Sequence, residues 1–171
     1  RPFLLYVGSH KPNKNLDSLI AADANRNLRF GYSVDISNEF AIVGTMAWGA
    51  YIFYGGNMTT GSRWLQRDKL MSKDYQEGDY FGNPVAIDGD YALVSATMQP
   101  DGSPKGAVYV FKRIGVRWIE VAKITSPNSY TDEMFGSSIA LSNDLALIAG
   151  LPRRNVYLFQ RMNDTLWAHV G

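Results

Sequence analysis

The 171-residue chain contains no cysteine. That excludes disulfide frameworks and thiolate metal sites, and it leaves the redox compartment unreadable from thiols. Charge is scarce and balanced: 17 basic against 16 acidic residues give a formal net charge of +1, and charged side chains make up 19% of the chain. A nucleic-acid surface needs a clustered basic face, and an acidic disordered chain needs a large excess of one sign. Neither class fits. Histidine occurs only at His10 and His169, too sparsely for a zinc site or a proton-transfer pair. No apolar run approaches the ~18 residues that span a bilayer, so membrane insertion is not expected. No signal peptide is read after Arg1, and the missing initiator Met points to a fragment or a processed chain. There is no Gly-x-Ser-x-Gly elbow and no phosphate loop, so no motif dictates a reaction.

What is abundant is strand material. Hydrophobic residues make up 46% and aromatics 13%, with Tyr the commonest aromatic, a composition that suits half-buried strands. One phrase is written three times. Phe30-Gly31 leads to Val34 and Ile36, then Ala41-Ile42-Val43. Phe81-Gly82 leads to Val85 and Ile87, then Ala92-Leu93-Val94. Phe135-Gly136 leads to Ile139 and Leu141, then Ala146-Leu147-Ile148. A period of about fifty residues signals a repeat architecture.

Each copy divides into four short β-type runs. They are 33–37, 41–45, 50–54 and 64–71 in the first copy, 85–88, 92–96, 107–113 and 118–125 in the second, and 138–142, 146–150, 156–161 and 166–170 in the third. Alternation such as Val108-Tyr109-Val110-Phe111 predicts antiparallel strands joined by hairpins. Asn38, Gly89 and Asn143 stand at equivalent turn positions, and Gly and Asn are the residues that tolerate positive φ there. Ala41, Ala92 and Ala146, then Gly44, Ser95 and Ala149, place small side chains where neighbouring sheets or a central axis come close. Each Phe is expected to wedge between sheets, its Gly permitting close backbone approach. Trp64, Trp118 and Trp167 recur near the outermost strand, where a large ring shields a face or an edge.

Four-stranded units of this length, stacked face to face, are the blades of a β-propeller. The Gly-His and Trp-Asp signatures of WD40 repeats are absent, and only Gly55-Gly56 matches the double glycine of kelch repeats. From Leu28 to Gly171 the chain resembles the bacterial form of the FG-GAP repeat, which the integrin α-subunits also carry. The element that follows Phe-Gly in that family is eroded here to Gly44-Thr45-Met46, Ser95-Ala96-Thr97 and Gly150-Leu151-Pro152. The resemblance implies an all-β partial propeller of about three four-stranded antiparallel blades, over residues 24–80, 81–134 and 135–171. Some members hold calcium in Asp-x-Asp-x-Asp-Gly loops, and this chain has none. Six to eight oxygens must converge on calcium, so no cofactor is expected beyond weak calcium binding. Asp74, Glu77 and Asp79 could join such a site, echoed by Asn128, Asp132 and Glu133.

Residues 1–23 admit two readings. Tyr6-Val7-Gly8 through Lys14-Asn15-Leu16 to Ala21-Ala22 resembles the opening strand, loop and helix of GT-B glycosyltransferases. That resemblance implies a helix over 16–22 and places Lys14 on a nucleotide-sugar diphosphate. Alternatively, Leu19 takes the place of Leu70 and Ile124, Asp23 that of Asp74 and Asn128, and Leu4–Val7 that of Tyr109–Lys112. The segment is then the outer half of a preceding blade, and residues 16–22 are extended.

Binding residues are expected in the irregular loops between strands. Loops 46–49, 98–105 and 151–155 are equivalent and differ in length and chemistry, which selects Trp48, Gln99, Asp101, Lys105, Arg153 and Arg154 as candidate contacts for a protein or glycan ligand. By family analogy the chain is expected to be a non-catalytic adhesion scaffold, extracellular or in the cell envelope. Three and a half blades also predict either further blades or self-association, since two copies would make seven. An open end is expected to expose inter-blade aromatics such as Phe30 and Phe135. Asn57-Met58-Thr59 and Asn163-Asp164-Thr165 are formal glycosylation sequons.

Overall fold

The computed structural model describes residues 5–6, 18–23, 29–46, 48–56, 64–98, 105–128, 133–151 and 154–170. A two-stranded ribbon, β1 (Leu5–Tyr6) and β2 (Ser18–Leu19), precedes three four-stranded antiparallel sheets. The first sheet runs β3 (Ser33–Ser37), β4 (Phe40–Gly44), β5 (Ala50–Tyr54) and β6 (Leu65–Leu70). The second runs β7 (Val85–Asp88), β8 (Tyr91–Ala96), β9 (Ala107–Ile114) and β10 (Arg117–Ile124). The third runs β11 (Met134–Ser142), β12 (Leu145–Leu151), β13 (Asn155–Arg161) and β14 (Trp167–His169). In every sheet, strands adjacent in sequence are adjacent in space, as short hairpin connections require. This is a partial β-propeller of three blades.

Local chemistry sets the hairpins. Asn38, Gly89 and Asn143 lie at φ of 52°, 56° and 51°, the left-handed region in which Gly and Asn cost least. These three turns fix register, pairing Ser37 with Phe40, Asp88 with Tyr91 and Ser142 with Leu145.

The sheets stack in chain order, so each has a forward face, toward the next sheet, and a backward face. One core joins Ile42, Ala50, Ile52 and Leu70 of the first sheet to Val85, Ile87, Val94, Phe111 and Trp118 of the second. A second joins Leu93, Val108, Val110 and Ile124 to Phe135, Ile148, Tyr157, Phe159 and Trp167. Phe81 and Phe135 are fully buried in these junctions. Each repeat's Phe rests on the aromatic pair of its own third strand: Phe30 on Tyr51 and Phe53, Phe81 on Tyr109 and Phe111, Phe135 on Tyr157 and Phe159. Burying such a ring stabilises the junction by about 1.5–3 kcal/mol. The expected exposure of Phe135 is therefore corrected. It closes the second junction rather than lying at an open end, while Phe30 is half-buried.

The Gly of each pair has positive φ, and at Gly82 it makes a contact that no side chain permits. A Cβ there would lie 2.5 Å from the Gly49 carbonyl oxygen and 2.8 Å from that of Thr45. The small residue at the end of strand two completes the fit. A Cβ on Gly44 would collide with the Gly82 carbonyl, and the Ser95 hydroxyl donates to the Gly136 carbonyl at 2.8 Å.

The innermost strands β3, β7 and β11 pack side by side, and each presents an edge whose amides need partners. Side chains supply them. Ser33 Oγ accepts from Val85 N at 3.1 Å, Asp35 Oδ2 from Ile87 N at 2.8 Å, and Ser37 Oγ from Gly89 N at 3.1 Å. Asp88 Oδ2 accepts from Asn143 N at 2.6 Å in the next junction. Near the turns, Arg113 lies over the Phe40 ring at 5.1 Å and Arg161 over Tyr91 at 4.0 Å. Trp118 and Trp167 stand edge-on to the same two rings, so the repeated Trp guards a junction as well as a strand edge.

The amino-terminal segment resolves against the helix. Ser18 and Leu19 are extended and pair with Tyr6 and Leu5, and Leu19 and Ala21 are buried against Ala41, Val43, Tyr51 and Phe53. An apolar face already waiting on the first sheet decides between two locally acceptable conformations. Among the described residues 18–22, the helix that the glycosyltransferase resemblance requires does not form, and Lys14 lies outside the described residues. The alignment of the ribbon is also corrected. Leu5 pairs with Leu19 as Val108 pairs with Ile124, so Leu5 takes the place of Val108 rather than Val110.

Candidate binding face

Strand order places the β4–β5, β8–β9 and β12–β13 loops at one end of the blades, together with the connections that lead to Phe81 and Phe135. The turns at Asn38, Gly89, Asn143 and Gly115 lie at the other end. A polar cluster recurs at the loop end of each blade, built by one residue from the incoming connection and one Tyr from the third strand.

In the first blade, the Tyr51 hydroxyl donates to Asp23 Oδ1 at 2.7 Å, and Lys69 Nζ donates to Asp23 Oδ2 at 2.6 Å. The Lys69 ammonium also lies 5.1 Å from the centre of the Tyr51 ring, a cation–π distance. Burial works to raise the Asp23 pKa, but the hydrogen bonds from Lys69 and Tyr51 hold it below the usual carboxylate range. Burial and the Asp23 carboxylate push Tyr51 up to about 12. Burial opposes the Lys69 charge, yet Asp23 and Tyr51 leave its pKa raised.

The second blade repeats the arrangement. Lys123 Nζ donates to Asp74 Oδ2 at 2.6 Å and lies 5.0 Å from the Tyr109 ring centre. Burial raises the Tyr109 pKa, and Asp74 is lowered, its burial outweighed by Lys123 and Tyr109.

The third blade keeps the Tyr and changes its company. Tyr157 donates to Glu133 Oε1 at 2.7 Å and accepts from Asn128 Nδ2 at 2.7 Å and Asn155 Nδ2 at 3.0 Å. Ser126 Oγ donates to Glu133 Oε2 at 2.6 Å. Glu133 is fully buried, and these neutral donors satisfy it.

A pocket of about 130 Å³ opens beside the second cluster, lined by Asp74, Gln76, Asp79, Met98, Tyr109 and Lys123 among others. The fold thus brings together Asp74 and Asp79 in one pocket wall with Met98 and Gly106, while Glu77 is exposed. Asp79 is buried, and its oxygens accept from Phe81 N at 2.8 Å and Gln76 N at 3.2 Å. Burial pushes its pKa up despite these bonds. With Asp74 engaged by Lys123, both carboxylates serve the protein itself, and among the described residues no group of three or more His, Cys, Asp or Glu could hold a metal ion.

Of the loop residues selected from sequence, Trp48, Lys105 and Arg154 are exposed at this end, one on each blade. The Trp48 amide donates to Thr45 Oγ1 at 2.9 Å, which holds the loop while leaving the ring 44% exposed. Arg154 lies at φ 59°. Gln99, Asp101 and Arg153 lie outside the described residues. Sequence reasoning passed over Tyr51, Tyr109 and Tyr157, although their place in three equivalent strands was a usable signal.

The stacked four-stranded sheets define the class, a β-propeller repeat protein. The chain belongs to the FG-GAP repeat family, whose model matches residues 15–59, 64–111 and 118–158, well over half of its length. The first match begins before β2, and each spans the outer strand of one sheet and the three inner strands of the next. No curated protein matches the chain at a significant level. Among the described residues no helix is long and apolar enough to cross a membrane.

Proposed function

We propose that the chain is a non-catalytic binding scaffold that works outside the cytoplasm and engages a protein or glycan through the loop end of its blades. The observation that carries this reading is the contrast between the two ends. The turn end repeats one chemistry at Asn38, Gly89 and Asn143, whereas the loop end presents an exposed Trp48, Lys105 and Arg154 on three loops of different length. Exposed Trp and Arg side chains are what recognition surfaces enrich, and a rigid scaffold beneath variable loops is the common way to present them. The inter-blade clusters at the loop end support the same reading by fixing the platform on which the loops stand.

The test is surface plasmon resonance of the chain against immobilised glycans and extracellular-matrix proteins. Trp48→Ala, Lys105→Ala and Arg154→Ala are compared with Val116→Ser, which lies at the turn end on a residue 81% exposed. Binding weakened by the first three and unchanged by the fourth is the expected result. Binding that responds only to Val116→Ser, or no binding to either panel, removes the proposal.

A further inference from the structure

The second and third blades carry the same loop-end cluster with a difference in bulk. Asp79 and Glu133 each stand two residues before the Phe of their repeat. Ala96 and Gly150 hold one place in the second strand, and Ala107 and Asn155 pair with them across the ladder. In the third blade the Glu133 carboxylate fills the space beside Tyr157. It accepts from the Ser126 and Tyr157 hydroxyls at 2.6 and 2.7 Å, with the Asn155 amide at 3.4 Å. A Cβ on Gly150 would lie 2.3 Å from Glu133 Oε1, so the longer acid needs glycine there. Ala96 carries that Cβ in the second blade, where Asp79 is one methylene shorter and Ala107 has no amide to offer. The pocket of about 130 Å³ lies at this place, and Asp79, Ala96, Ala107, Tyr109 and Lys123 line it.

The third blade also says what chemistry suits the pocket, because its buried carboxylate is satisfied by hydroxyl donors. Asp79 is buried as well, but its oxygens hold one backbone amide each, from Phe81 and Gln76. A carboxylate oxygen has two lone pairs, so each keeps room for another donor. Lys123 engages Asp74 and Tyr109 and keeps a third N–H. The wall therefore offers acceptors and a donor together. A ligand carboxylate would face Asp74 and Asp79, and an ammonium would face Lys123. Calcium wants six to eight oxygens and would meet the same Lys. A hydroxyl both donates and accepts without charge, and it fits. Pockets that enclose a whole drug-sized ligand run to roughly 300–1,000 Å³, so a pocket of about 130 Å³ takes one edge of a ring.

We infer that the pocket of the second blade is a saccharide subsite, in which two adjacent ring hydroxyls take the part that Ser126 and Tyr157 play for Glu133. One hydroxyl donates to Asp79, its neighbour accepts from Lys123, and Met98 covers the ring edge. The inference rests on the reading of the loop end as a binding face and names the glycan as the ligand class. A ring holds its adjacent hydroxyls in one geometry, so it loses less freedom on binding than an open-chain polyol does.

The experiment titrates the 171-residue chain with the methyl glycosides of glucose, galactose, mannose and N-acetylglucosamine, and with sorbitol, and follows amide shifts by NMR. At least one glycoside should move the Gln76 and Phe81 amides, which report on Asp79. Asp79→Glu with Ala96→Gly and Ala107→Asn installs the third blade's own filling. It should weaken that binding by about tenfold or more, the loss expected of one hydrogen bond to a charged group. Ala107→Asn alone, a smaller filling, should weaken it in the same direction and serves if the triple variant does not fold. Val116→Ser should leave it unchanged. The inference is overturned if no glycoside moves those amides, if the filled variants bind as well as the parent, or if sorbitol binds as well as the glycosides. Loop-dependent capture of a matrix protein in the plasmon resonance test would then still uphold the broader reading, and its absence would remove both.

Discussion

Lys69 Nζ lies 2.6 Å from Asp23 Oδ2 across the junction between the amino-terminal ribbon and the first full sheet, and Lys123 stands at the same distance from Asp74 one blade later. In both pairs the ammonium also covers a Tyr ring whose hydroxyl shares the carboxylate. The pairing therefore ties three segments at once: an incoming connection, a third strand and a fourth strand.

Its pH dependence follows from the direction of each shift. Asp23 and Asp74 have lowered pKa values in the folded chain, so their contribution is present above the unfolded carboxylate value and is lost as pH falls through the folded one. Lys69 and Lys123 are raised and Tyr51 reaches about 12, so those contributions hold below the unfolded values and are lost as pH rises through the folded ones. Thermal melts followed by circular dichroism should show a plateau between roughly pH 4 and pH 10, falling on both sides. Asp23→Asn should flatten the acid limb and Tyr51→Phe the alkaline limb. Since the Lys69 and Asp23 side chains are 33% and 50% exposed, both effects should shrink in high salt.

Two glycines of similar backbone sign should respond differently to substitution. Gly82, at φ 122°, faces carbonyl oxygens of the preceding blade, whereas a Cβ added to Gly89, at φ 56°, would meet nothing within 4 Å. Gly82→Ala combines backbone strain with a collision and should cost upwards of about 3 kcal/mol. Gly89→Ala should cost about 1 kcal/mol, and Gly89→Asn less, because Asn38 and Asn143 already serve at that turn. Urea denaturation of the three variants checks the order.

Phe81→Ala should destabilise the chain by about 3–5 kcal/mol. The ring is fully buried between two sheets, and rigid backbones on both sides prevent collapse into the space it leaves. Tyr32→Ala, at a residue 54% exposed, should stay within about 0.5 kcal/mol of the parent. Equal losses in calorimetry would show that Phe81 does not hold the junction.

Asp35 bridges two blades through Ile87 N and caps its own neighbour, Ile36 N, at 2.8 Å. Asp35→Ala leaves an inner-strand amide without its acceptor and should cost about 1–3 kcal/mol. Asp35→Asn, which retains one oxygen, should cost less. Hydrogen exchange at Ile87 should quicken in step with the loss, and an unchanged rate would assign the stabilisation elsewhere.

Much of this fold was legible because its determinants are local. The turn residues Asn38, Gly89 and Asn143 carry their φ requirement with them, and alternation in Val108-Tyr109-Val110-Phe111 declares a strand without reference to a neighbour. Asp74 and Asp79 were visible as acidic residues before Phe81, but their engagement with Lys123 and with the Phe81 and Gln76 amides was not. Those partners become neighbours only after the connection folds over the blade. The loop candidates fared similarly. The equivalence of loops 46–49, 98–105 and 151–155 selected Trp48, Lys105 and Arg154 together with Gln99, Asp101 and Arg153, and strand order puts the three described ones at one end.

By itself, the sequence determined a threefold repeat, four strands in each copy, and the places where Phe and Gly must stand. Those features depend on side-chain alternation and on backbone sterics within a few residues. Only the tertiary structure decided that Ser18–Leu19 is a strand, that Phe135 is sealed inside a junction, and that Asp23, Tyr51 and Lys69 meet. Each of those outcomes depends on which sheet faces which, and that is settled by the stacking of apolar faces from repeats about fifty residues apart.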